Sequence, residues 1–176
     1  MRKVWTATVL TALALSLSAC GSSGDDEAAQ NISDSIIKAQ KTSSSSSEFF
    51  SVKRKDADCI GKGLVDKIGT DQLQQYGLLD KDNKVKGNVT ALKMSAGDAK
   101  AATGVLFDCT DVETMIKKAM ASSGTVPKAM KACVDKALTE DNLRSMFTQL
   151  FQGDSKAANK ALVEPMTKCA LGSQGQ

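Results

Sequence analysis

Five cysteines, Cys20, Cys59, Cys109, Cys133 and Cys169, are the residues of this 176-residue chain best suited to chemistry, and histidine is missing altogether. Without imidazole there is no Ser-His or Cys-His nucleophile pair and no histidine metal ligand. A thiol redox pair or a four-cysteine zinc site usually needs C-x-x-C or similarly close spacing. Among the last four cysteines the nearest two are Cys109 and Cys133, 133 minus 109 or 24 positions apart. Four widely spaced thiols in an oxidising compartment instead pair as structural disulfides. Three connectivities are open to them, and spacing alone selects none.

Other candidate chemistry fails on inspection. "DKDNKVKGN", residues 80 to 88, has the acidic start of a calcium loop. However, Lys84 stands at the fifth ligand position, Val85 replaces the turn glycine and Ala91 fills the twelfth-position Glu slot. "GKG" at 61 to 63 lacks the spacing of a phosphate-binding loop. Acids are scattered along every segment, so no pair of carboxylates stands out as an acid/base couple. The chain carries no catalytic set, no metal site and no implied cofactor.

Cys20 is the odd thiol. Before it come Arg2 and Lys3, then an uncharged, mostly apolar run from Val4 to Leu17. That run of about 14 residues is shorter than the ~20 needed to span hydrocarbon, so it reads as the core of an export signal. The closing Leu17-Ser18-Ala19-Cys20, followed by Gly21, resembles the lipobox of bacterial lipoproteins. The resemblance implies cleavage after Ala19 and diacylation of Cys20. Two acyl chains hold a protein stably to a membrane where one would not. The implied location is the extracytoplasmic face of the cell membrane.

Loss of residues 1–19 also changes the charge. The whole chain has 23 Lys plus Arg against 20 Asp plus Glu. Without Arg2 and Lys3 the balance is 21 against 20, too even to attract nucleic acid. The single tryptophan, Trp5, leaves with the signal and Tyr76 is the one tyrosine, which argues against an aromatic sugar- or base-stacking platform.

The elements that position the cysteines read as helices. "GSSGDDEAAQN" reads as a flexible tether, with a short helix from about Ser33 to Lys41 and the serine run 43–47 as a linker. Ser51 is placed to cap a helix that Gly69 stops, with Ala57, Ile60, Leu64 and Ile68 on one face. Thr70 opens a turn of helix that Gly77 ends, and a polar loop spans 80–93. Ser95 with Asp98, and Thr110 with Glu113, match capping pairs. Gly124 and Pro127 punctuate the next boundary, and Thr139 opens a helix with the apolar stripe Leu143, Met146, Phe147, Leu150 and Phe151. Pro165 should kink or restart the last helix. No stretch alternates with period two, so the fold class is all-α: about six to seven short helices behind a disordered tether. The expected organisation is signal 1–19, lipidated cysteine and tether 20–48, disulfide-braced helical domain 49–172 and tail 173–176.

An internal repeat bears on the disulfides. "DCIGKGLVDKIGTDQL" and "ACVDKALTEDNL" share a cysteine, a Lys-small-Leu pattern and a Thr-started turn, and each precedes an apolar stretch ending in cysteine. Such a repeat would make each copy a cysteine-closed unit, Cys59 with Cys109 and Cys133 with Cys169. Loops of these sizes stabilise by ~4 kcal/mol each in the chain-entropy model. "DCIGKGLVDKIG" with later spaced cysteines also resembles small exported lipoproteins of high-GC Gram-positive bacteria, which implies a disulfide-laced helical fold and no active site.

The functional expectation is a non-catalytic, membrane-anchored interaction module of the cell envelope. Its anchor is Cys20, and its candidate partner or ligand face is Leu143, Met146, Phe147, Leu150 and Phe151. The alternative is a carrier of a small apolar or lipid ligand in a cavity among helices bearing Met115, Met120, Met130, Met146 and Met166.

Overall fold

A computed structural model describes residues 23–42, 52–86, 92–122 and 131–172. Among them eight helices follow in order: α1 (Ser23–Thr42), α2 (Arg54–Ile68), α3 (Thr70–Gln75), α4 (Ala96–Cys109), α5 (Val112–Ser122), α6 (Lys131–Ala137), α7 (Glu140–Phe151) and α8 (Ser155–Gly172). The fold is all-α, as the sequence predicts.

The expected tether over 20–48 is corrected by α1, which runs from Ser23 to Thr42 and packs along α2. It buries Ala28, Ile32 and Ser33, so the folded domain begins well before Phe49. The pair is antiparallel. Thr70 Oγ1 donates to Asp25 (2.6 Å) at one end, and at the other the Gln40 amide receives the Val52 N–H (2.9 Å). Midway, Ser33 Oγ donates to Asp58, and Arg54 reaches Asp34 at 2.6 Å. Close approach of the two backbones depends on Gly61, since a β-carbon there would overlap the Ala29 carbonyl. Gly63 turns the opposite way, and a β-carbon on it would lie 2.7 Å from Val105 of α4. The "GKG" stretch is therefore a two-sided packing device.

Local signals set most helix ends. Ser95 caps α4 by accepting from Asp98 N (3.2 Å), Thr139 caps α7 by accepting from Asn142 N, and Asp154 caps α8 by accepting from Ala157 N (2.8 Å). Gly69, Gly77 and Gly153 take positive φ at the stops after α2, α3 and α7. For α5 the capping oxygen is Asp111, which accepts from Thr114 N (3.0 Å). Thr110 instead ends α4 and donates back to the Leu106 carbonyl. α2 starts at Lys53 without a side-chain cap, and Ser51, Gly124 and Pro127 lie outside the described residues. α8 passes through Pro165 as one element.

The helices pack in the order α1, α2, α4, α7, α8, α6. Tyr76 fixes the start of α4, its hydroxyl donating to Asp98 (2.6 Å) and accepting from Ser95 N (3.0 Å). The Met94 N–H donates to the Phe151 carbonyl (2.9 Å), so α7 ends where α4 begins. Hence one end of the bundle gathers the first turn of α1, α3 and the loop 78–86, with the start of α4 and the end of α7. The opposite end holds the Cys59–Cys109 bridge.

Two apolar clusters result. The larger joins Ala28, Ile32, Val65, Leu73, Leu78, Leu79, Leu92, Met94, Ala99 and Ala102, with Phe151 packed against it. The smaller joins Val134, Leu138 and Leu143, surrounded by Phe107, Ile116, Met120, Met146 and Met166. Among the described residues no helix is long and apolar enough to cross a membrane.

Candidate functional site at the disulfide end

Cys59 lies in the second turn of α2 and Cys109 is the last residue of α4. Their α-carbons are 5.6 Å apart and their sulfurs are bonded, closing a separation of 50 residues. This is the pairing that the repeat suggests for the first unit. Cys133 lies on α6 and Cys169 on α8, two helices packed together. Their side chains, and Cys20, fall outside the described residues.

The chain turns sharply after Cys109 to start α5, and this turn opens a cleft of about 400 Å³ lined by Phe107, Asp108, Cys109, Thr110, Asp111, Val112, Glu113 and Glu140. Four of the eight are acidic. Arg144 of α7 is the organising cation. Its guanidinium sits over the Phe107 ring, 4.4 Å from the centroid, while Nε contacts Glu140 at 2.6 Å and an Nη contacts Asp108 at 4.0 Å. Phe107 in turn meets Phe147 edge-on at 6.0 Å. Sequence reasoning missed Arg144 because Phe107 and Asp108 come from α4, Asp108 being 144 minus 108 or 36 residues upstream. The i,i+4 spacing to Glu140 was the one available signal.

Of the four acids, Asp111 is the one held ionised by its surroundings. The backbone N–H and hydroxyl of Thr114 pull the Asp111 carboxyl below its ordinary value, and Lys118 and Lys117 add to this. The bond to Glu113 (2.5 Å) raises Lys117 above the usual lysine value. Such a cleft can accept hydrogen bonds and positive charge from outside. Among the described residues no three His, Cys, Asp or Glu side chains converge on a metal position.

The predicted partner face is placed elsewhere. Leu143 is fully buried in the smaller cluster, Met146 packs on that cluster, and Phe151 packs on the larger one. Phe147 lies between Phe107 and Phe151, and Leu150 is partly buried. Of the stripe, Leu143 is core, while Met146, Phe147, Leu150 and Phe151 stay partly buried against neighbouring helices; the large exposed apolar side chain among the described residues is Val163 of α8. Of the methionines read as a possible cavity lining, Met120, Met146 and Met166 pack against Val134, Leu138 and Leu143, and Met130 lies outside the described residues. The 80–86 loop uses its acid internally: Asp80 accepts from the N–H groups of Asp82 and Lys84, both at 2.9 Å.

No protein-family model, no curated protein and no solved structure matches this chain.

Proposed function

We propose that this chain is a lipid-anchored protein of the extracytoplasmic membrane face that serves, without catalysis of its own, as an interaction module of the cell envelope. The observation that carries the reading is the Cys59–Cys109 bridge. Structural disulfides persist where the compartment is oxidising, which agrees with an exported chain whose Cys20 is acylated. The acidic cleft beside the bridge is the surface best suited to a partner, one whose basic segment competes with Arg144 for Asp108 and Glu140 and with Lys117 for Glu113. The carrier alternative is less favoured, because Met120, Met146 and Met166 pack against Val134, Leu138 and Leu143.

The test is the intact mass of the protein extracted from membranes, before and after reduction with thiol alkylation. Loss of residues 1–19, a diacylglycerol increment and thiols that react only after reduction are expected. A chain without the acyl group, or with Cys59 and Cys109 alkylated before reduction, would overturn the reading. For the partner, zero-length carbodiimide coupling on intact cells should link the module to one basic envelope component. That adduct should vanish in the Asp108→Asn, Glu113→Gln, Glu140→Gln variant.

A further inference from the structure

A lipoprotein with a long flexible tether would work at a distance from its membrane, but α1 removes that freedom. Its first residue is Ser23, so only Gly21 and Ser22 separate the helix from Cys20. Three residue steps reach at most about 11 Å even when fully extended. The first turn of α1 is itself tied down at two points: Thr70 Oγ1 donates to Asp25 (2.6 Å), and Asn83 Nδ2 donates to the Gly24 carbonyl (3.2 Å). Asn83 is held in place in turn, receiving Asn31 Nδ2 on its carbonyl (3.0 Å) and Gln74 Nε2 on its side-chain oxygen (2.9 Å). Its positive φ of 57° lets one short side chain and its own backbone serve α1 and α3 together.

We infer that this end of the bundle, made of the first turn of α1, α3 and the loop 78–86, is seated at the lipid headgroups. Lys81, Lys84 and Lys86 then lie beside the bilayer, and the Cys59–Cys109 end with its acidic cleft points outward. The inference rests on the acylation of Cys20. Charge does not drive the seating, because Lys81, Lys84 and Lys86 share their loop with Asp80 and Asp82, and Lys81 and Lys86 line one surface depression together with Asp71. Covalent reach does.

Lysine acetylation by an anionic N-hydroxysulfosuccinimide ester reads this in the wild-type acylated chain. The rates on vesicles of equal parts phosphatidylglycerol and phosphatidylethanolamine are compared with those of the unacylated Cys20→Ser chain in solution. A surface near −30 mV depletes a singly charged anionic reagent about threefold, and the effect fades over about a Debye length. Acetylation at Lys81, Lys84 and Lys86 should therefore slow about threefold or more on vesicles. Lys55 stands in the first turn of α2, about 20 Å of helix from Ile68, and should keep its solution rate. Inserting a Gly/Ser linker of about 20 residues after Ser22 should return the loop lysines to their solution rates.

A chain that lacks the diacylglycerol mass and fails to sediment with vesicles would overturn the anchor reading and this inference together. An anchored chain with unchanged loop rates, or with Lys55 slowed as much as the loop, would overturn the seating alone.

Discussion

A β-carbon on Gly61 of α2 would overlap the carbonyl oxygen of Ala29 on α1. The clash is with backbone, which cannot swing aside as a side-chain tip can. Gly61→Ala should thus push α1 off α2 and destabilise the fold by about 1–3 kcal/mol, the usual cost of overpacking. Amide exchange should show protection lost across residues 28–36 before other helices open. Gly104 of α4 is the control, since a β-carbon there meets nothing within 4 Å. Gly104→Ala should raise stability by about 0.5–1 kcal/mol through helix propensity alone.

The Cys59–Cys109 bridge closes a separation of 50 residues between two packed helices. Replacing both cysteines by serine should cost about 4 kcal/mol, read as a lower urea midpoint. Equal midpoints for wild type and variant would show that the unfolded chain gains no freedom when the bridge is absent.

A non-reducing peptide map should recover a second crosslinked peptide containing Cys133 and Cys169, which sit on the packed helices α6 and α8. Recovery of both as alkylated free thiols from the unreduced protein would remove the second staple.

Asp111 links the start of α5 to pH. Its folded value is depressed by the Thr114 N–H and hydroxyl, so its contribution is complete above the ordinary value of 3.8 and is lost as pH falls through the folded value. Lys117 has the opposite sign. Raised by Glu113, its contribution holds at neutral pH and fades only as pH climbs through the folded lysine value. Protection factors in α5, taken relative to the intrinsic rate at each pH, should therefore fall in acid, and Asp111→Asn should flatten that acid limb while keeping the cap. An unchanged acid limb in the Asn variant would assign the pH response to other groups.

Leu143 is fully buried, and Leu143→Ala should cost about 2–5 kcal/mol in a denaturant titration. A loss within a few tenths of a kcal/mol would return this residue to the surface.

Much of this architecture is legible in the chain because it is local. Ser95, Thr139 and the glycines at 69, 77 and 153 act within a turn of their own position, and a turn is what a sequence window contains. The first unit's disulfide was legible through the repeat. Of α1 only the part from about Ser33 to Lys41 was, because the buried stripe of its first half is narrow and small: Ala28, Ile32 and Ser33 set among Asp25, Asp26, Glu27 and Asn31. Such a stripe becomes worth burying only when a distant glycine lets another helix come close. The acidic cleft was hidden for the same reason, since Asp108 and Glu140 meet only after α7 folds back on α4. The stripe of α7 was visible but ambiguous, since periodicity marks an apolar face without saying what covers it.

That helix has a consequence of its own. α7 places Leu143 in the smaller cluster and Phe151 against the larger one, with Phe147 between Phe107 and Phe151. Neither cluster can come apart without withdrawing support from a helix that the other needs. The molecule should melt as a single cooperative unit, its calorimetric and van't Hoff enthalpies equal, although its core is divided in two.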